Sequence, residues 1–115
     1  MSKRGDRELL SDIQEAALRI EQYSKKLSYG QFVKDTKTQD AVVRNLEIIG
    51  EASKNISKEV KQKYREIAWS DLAKVRDKLI HHYFGVNLDI VWEIIHHGLP
   101  ETLTGVSRIL KKKSI

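Results

Sequence analysis

The chain of 115 residues contains no cysteine and a single proline. Without cysteine there are no disulfides and no thiolate metal sites, which fits a reducing, cytoplasmic setting. With one proline, six glycines and few β-branched runs, little in the chain interrupts helices. No apolar run approaches the length of a membrane span, and the start of the chain has no signal-peptide hydrophobic core. No glycine-rich phosphate loop, internal repeat or low-complexity segment is present. What remains is 40% hydrophobic and 32% charged, a balance suited to one compact all-α domain over 1–115. A chain this long buries roughly two thirds of its unfolded surface. The formal charge of +5 favours contact with phosphates, although many small basic proteins bind nothing anionic.

Hydrophobic spacing predicts an up-and-down bundle of four or five helices. Residues 1–5 are a polar lead and 111–115 a basic tail, both expected to be flexible. Leu9, Ile13, Ala16, Ala17, Ile20 and Leu27 recur at three- and four-residue steps and mark a first helix over 6–27. Ser28 reads as the cap of a short turn carrying Phe32 and Val33, and Tyr23 and Tyr29 read as packing or rim residues. A second helix over 38–56 buries Val42, Leu46, Ile49 and Ile56, with Asn45 and Ser53 on the same face. Glu47 and Glu51 fall on its polar side with Arg44, as solvated or interface charges. Ser57 caps a short charged helix through Tyr64, Ser70 is the expected cap of the next helix, and Asn87 caps another. Gly98 and Pro100 should interrupt that last one before Leu103, Val106 and Leu110 resume the apolar stripe.

The stretch 75–85, VRDKLIHHYFG, draws attention for its chemistry. It reads as the last turns of a helix stopped by Gly85. On a wheel of about 100° per residue, Leu72, Arg76, Leu79, Ile80 and Tyr83 share a face. A guanidinium is therefore expected inside an apolar stripe, where it is costly unless paired. Asn45, across the bundle, is either an ordinary satisfied amide or a group that helps to hold Arg76. Asp77 precedes His81 by four residues, within reach of its ring. The adjacent pairs His81-His82 and His96-His97 lack the four-residue step of helical metal pairs, so no metal site and no cofactor are expected.

The pattern Arg-x4-His-x-Tyr, filled by Arg76, His81 and Tyr83, resembles the signature of HEPN-domain ribonucleases. The longer phrase RDKLIHHYFGV at 76–86 is similar to the HepT branch, the toxin half of HEPN/MNT toxin–antitoxin pairs. So are KTQDAVVRNLEIIGEA at 37–52, Trp69, and the run Asp89-Ile90-Val91-Trp92. The resemblance implies an endoribonuclease whose motif helices pair across a homodimer, forming a composite cleft for RNA, either mRNA or tRNA. It further implies an MNT-type nucleotidyltransferase antitoxin that transfers AMP to the motif tyrosine, Tyr83.

The residue types suit that reaction. A histidine exchanges protons near neutral pH. An arginine offers a permanently charged planar fork to phosphate oxygens. His81 and Arg76 are thus the candidate catalytic pair, with Asp77 and Asn45 as supporting residues. A metal-free cut needs both a base and an acid, ending in a 2′,3′-cyclic phosphate, and a two-fold partner would supply the second histidine. A reading from a different class is a non-catalytic helical adaptor that binds nucleotide or a nucleotidyltransferase.

Overall fold

The computed structural model describes residues 4–79 and 85–112. Among these residues the chain is helical with no β-strand. The elements are α1 (Asp6–Ser24), α2 (Tyr29–Lys34), α3 (Thr36–Asn55), α4 (Lys58–Lys63), α5 (Trp69–Ala73) and α6 (Val75–Leu79). They are followed by α7 (Leu88–Glu93), a π-helical turn (Ile94–Gly98) and α8 (Leu99–Leu110). The expected all-α bundle is therefore present, in shorter pieces than the periodicity suggests.

The two long helices, α1 and α3, pack along each other, and α8 closes on α1. Leu10, Ile13, Ala17 and Ile20 of α1 are fully buried with Val42, Leu46 and Ile49 of α3. These are the stripes read from the spacing. Phe32 on α2 is also fully buried, whereas Val33 is exposed, because adjacent residues on a helix point about 100° apart.

Local chemistry sets most boundaries. Ser28 makes a reciprocal capping box with Gln31 at the start of α2. Ser57 and Asn87 accept from Val60 and Ile90 as expected caps. The second long helix starts two residues early, because Asp35 accepts from both the backbone and the hydroxyl of Thr38. Those hydrogen bonds hold the Asp35 carboxyl below its ordinary pKa. The first helix ends at Ser24 rather than 27, where the Ser24 hydroxyl turns back to the Ile20 carbonyl. Ser70 is not a cap. The helix starts two residues earlier than a Ser70 cap would place it, after Ala68 and without side-chain capping, where the buried Trp69 donates its indole N–H to the Tyr64 carbonyl.

Gly98 and Pro100 do not break the chain out of helical geometry. The π turn at Ile94–Gly98 runs directly into α8, whose first turn holds Pro100. Proline removes an N–H and crowds the carbonyl four residues back, and one widened turn accommodates both. At the two ends of the described chain, Arg4 forms a paired contact with Asp12. Lys112 lies over the Tyr64 ring at 4.9 Å, and Arg7 donates to the Leu110 carbonyl.

Candidate functional site

The segment that carries the motif is not one helix. Lys74, with φ −98° and ψ 5°, sits in the bridge region between α and β geometry and divides α5 from α6. The break resets the helical phase. Val75 and Leu79, four residues apart, become the buried face of α6, and Arg76 turns to its flank. The expectation that Arg76 lies within an apolar stripe is thereby overturned: its side chain is 68% exposed.

Its partner comes from α3. The Arg76 Nε lies 3.7 Å from Glu47 Oε2, and Glu47 is half-buried. Asn45 does not take this role. It faces inward and donates its amide to the Ala41 carbonyl at 2.8 Å, and its buried Oδ1 has no partner among the described residues. Asn45 and Glu47 are two residues apart on one helix, about 200° round it, so they cannot serve the same face. Periodicity placed Glu47 correctly on the polar side of α3 but could not show which element would cover that side.

Gly50 shows why α6 comes so near. A Cβ at this position would meet the Leu72 carbonyl and Val75 Cγ1, both at 3.2 Å. A bare glycine backbone therefore lets the α5–α6 junction rest against α3, one turn beyond Glu47. The spacing that brings Glu47 to Arg76 depends on that approach. Its only sequence signal was a glycine in the middle of an otherwise helical stretch, which costs a helix roughly 0.5–1 kcal/mol relative to alanine and so calls for a packing reason.

Asp77 is exposed on α6. His81, His82 and Tyr83 lie outside the described residues, as does the contact expected between Asp77 and His81. The described chain on either side of them is tied together. The Asn87 N–H donates to the Leu79 carbonyl at 2.9 Å, and Gly85 takes φ +81°, a left-handed conformation that glycine adopts without a Cβ penalty. The positive φ suits the helix stop expected at Gly85, while residues 80–84, which would lead up to it, lie outside the described residues. Lys78 also reaches back to Asp71 at 3.7 Å across the break. Both groups are well exposed, so this pair adds little rigidity.

Two grooves meet at this place. One, of about 440 Å³, runs between α3 and the start of α7, lined by Gln39, Asp40, Val43, Arg44, Glu47, Val86 and Leu88. The other, of about 540 Å³, lies between α3 and α1 and shares Arg44 and Glu47. Arg44 is exposed and makes no ion pair among the described residues. Arg44 and Glu47 thus line both grooves about one turn apart on α3, and Arg76 of α6 lies against Glu47; arginine suits phosphate oxygens. Among the described residues, no three histidine, aspartate or glutamate side chains gather to hold a metal ion, and no helix is long and apolar enough to cross a membrane.

An all-α domain with an outward arginine held beside a carboxylate, five residues before His81 and seven before Tyr83 in the sequence, fits the class suggested by the motif. The model of the family described as "Ribonuclease HepT-like" matches residues 13–109. A "Probable ribonuclease HepT" of Thermococcus cleftensis is 44% identical over 110 residues, covering 96% of this chain and 99% of that protein. A "Putative RNase" of Methanocaldococcus jannaschii is 41% identical over 111 residues, covering 96% of this chain and 92% of its own. Another, from Caldanaerobacter subterraneus, is 48% identical over 101 residues, covering 88% and 89%. No solved structure matches the chain. The chain belongs to the HepT-like ribonuclease family.

Proposed function

We propose that this protein is a metal-independent endoribonuclease, the toxin of a HEPN/MNT toxin–antitoxin module in the cytoplasm, cutting mRNA or tRNA. The observation that supports it most directly is the outward placement of Arg76 beside Glu47, on the segment that leads into His81, in a chain whose relatives carry ribonuclease names. In the reaction, one histidine takes the proton of the ribose 2′-OH. The 2′ oxygen bonds to phosphorus, the bond from phosphorus to the 5′ oxygen breaks, and a second acid protonates that leaving oxygen. The product end is a 2′,3′-cyclic phosphate. Arg76 supplies charge to the phosphorane oxygens, where fixed donors act most strongly. His81 of two copies, brought together across a homodimer, provides base and acid.

Tyr83 is the proposed acceptor of AMP from the antitoxin. Its attachment adds a negative phosphodiester and a bulky nucleoside seven residues from the arginine that receives the RNA phosphate. The substrate is then excluded by charge and by volume.

Purified protein incubated with total RNA and EDTA tests the activity. Cleavage that persists in the chelator and leaves cyclic phosphate ends is expected, and strict dependence on a divalent ion would refute the mechanism. Intact mass after incubation with the antitoxin, ATP and Mg²⁺ tests the control. A single AMP should appear on the native chain and none on Tyr83→Phe, whereas equal labelling of both would refute the assignment.

A further inference from the structure

The groove between the first half of α3 and residues 86–88 has a chemistry that the cleavage reaction itself does not use. Its walls are Val43, Val86 and Leu88, and its polar groups are Gln39, Asp40, Arg44 and Glu47. At about 440 Å³ it falls within the range of small-molecule sites, roughly 300–1,000 Å³. We propose that it is a subsite for a guanosine of the RNA chain, beside the cleaved linkage.

The base preference follows from Gln39 and Asp40. The Gln39 amide donates to the Phe32 and Val33 carbonyls, at 2.8 and 2.9 Å. Both of its hydrogens are committed, so only the carbonyl oxygen is left to bind a ligand, and only as an acceptor. Asp40 is exposed and has no hydrogen bond or ion pair among the described residues; its ionised carboxylate is likewise acceptor-only. The two oxygens of that carboxylate lie side by side, so a partner that meets both must present two adjacent donors. Guanine does so with N1–H and the 2-amino group. Adenine and cytosine each set an acceptor nitrogen next to their amino group, and uracil flanks its single N3–H with two carbonyls. All three would oppose the carboxylate. The apolar wall of Val43, Val86 and Leu88 suits the flat face of a base.

The order of groups along α3 suits a nucleotide. Arg44 stands about one helical turn beyond Gln39 and Asp40, and Glu47 about one turn further. Since Glu47 contacts Arg76, the groove leads from base acceptors, past one cation, to the cation proposed to meet the scissile phosphate. This subsite rests on the ribonuclease reading for its substrate but not for its test.

The test is binding of 2′-O-methyl RNA pentamers, which lack the attacking hydroxyl, to the full chain. One contains a central guanosine, one a central inosine lacking the 2-amino group, and one a central uridine. Guanosine should bind about tenfold more tightly than inosine, the discrimination of a modest paired contact, and more tightly still than uridine. Asp40→Asn, at an exposed position, should erase the guanosine preference while leaving uridine binding in place. Arg44→Gln should weaken all three alike. Equal binding of guanosine and inosine, or an unchanged preference in Asp40→Asn, would overturn the subsite. A groove covered by a second copy of the chain would give the same base-blind result. Selective binding without cleavage of unmodified RNA would instead refute the ribonuclease reading and leave the subsite standing.

Discussion

The α1–α3 pair and the α5–α6 pair meet the same requirement, burial of an apolar face, by different means. In α1 and α3 the stripe is continuous over several turns, and Leu10, Ile13, Ala17, Val42, Leu46 and Ile49 share the burial. Losing one leaves the others in place. In α5–α6 the described helical stretches cover five residues each, with fewer buried positions to share the load. Their seating depends on Trp69, Val75, Leu79 and the bare backbone of Gly50. The first pair is a scaffold that tolerates variation. The second is positioned by a few contacts, and it carries the proposed chemistry.

That contrast is tested most severely by separating activity from stability. His81→Ala should lower cleavage by a factor of about 10²–10⁴, the usual worth of a positioned proton donor or acceptor, with little change in melting temperature. Arg76→Ala should also cut activity. Its side chain is largely exposed, so circular dichroism should show an intact fold. A loss of fold in Arg76→Ala would mean that the arginine supports the bundle after all. On the scaffold side, Leu46→Ala removes a side chain only 1% exposed and should cost about 2–5 kcal/mol in chemical denaturation. Activity per folded molecule should survive.

How far the sequence could be read differs between the same two regions. The scaffold was legible because burial repeated over many turns outweighs local irregularity. Ser28, Ser57 and Asn87 were legible as caps because their side chains act within three residues. Arg76 was misplaced for a reason of the same kind. The wheel assumes an unbroken helix, and the turn at Lys74 shifted the phase by enough to carry Arg76 from the stripe to its edge. Glu47 as its partner was invisible, since an exposed glutamate on a polar face carries no mark of what will pack beside it. The motif residues are proposed from their order in the chain, which suggests a chemistry without saying how the side chains are arranged.

Gly50→Ala is a finer probe, because it adds one methyl at the boundary between the two regions. The new Cβ would press on the Leu72 carbonyl and Val75 Cγ1 at 3.2 Å. Two effects oppose each other. Alanine favours the helix by roughly 0.5–1 kcal/mol, and overpacking a tight contact typically costs 1–3 kcal/mol. One of the clashing atoms is a backbone oxygen, which cannot swing aside, so the cost should win by about 1 kcal/mol. The larger consequence should be catalytic, since relief requires α5–α6 to move away from α3 and separates Arg76 from Glu47. A fall in activity exceeding the fall in stability is the expected signature. Proportionate losses, or a stabilised protein at full activity, would show that the close approach does not position the site.

Glu47→Gln should have the smallest effect and the most informative sign. The contact with Arg76 is long and partly exposed, so it contributes at most about 0–1 kcal/mol to stability, and the melting temperature should barely change. Its role in the site is separable by kinetics. A carboxylate beside Arg76 competes with the RNA phosphate for the guanidinium, so removing its charge should lower KM. The same carboxylate restrains the side chain, so removing it should also lower kcat, by a few-fold for a misaligned donor. A fall in both constants together identifies a residue that holds Arg76 at some expense in ground-state binding. If kcat rises while KM falls, Glu47 only offsets charge, and the orientation of Arg76 must come from elsewhere. If neither changes beyond error, the ion pair is incidental, and the association of α3 with the Arg76 segment rests on Gly50 alone.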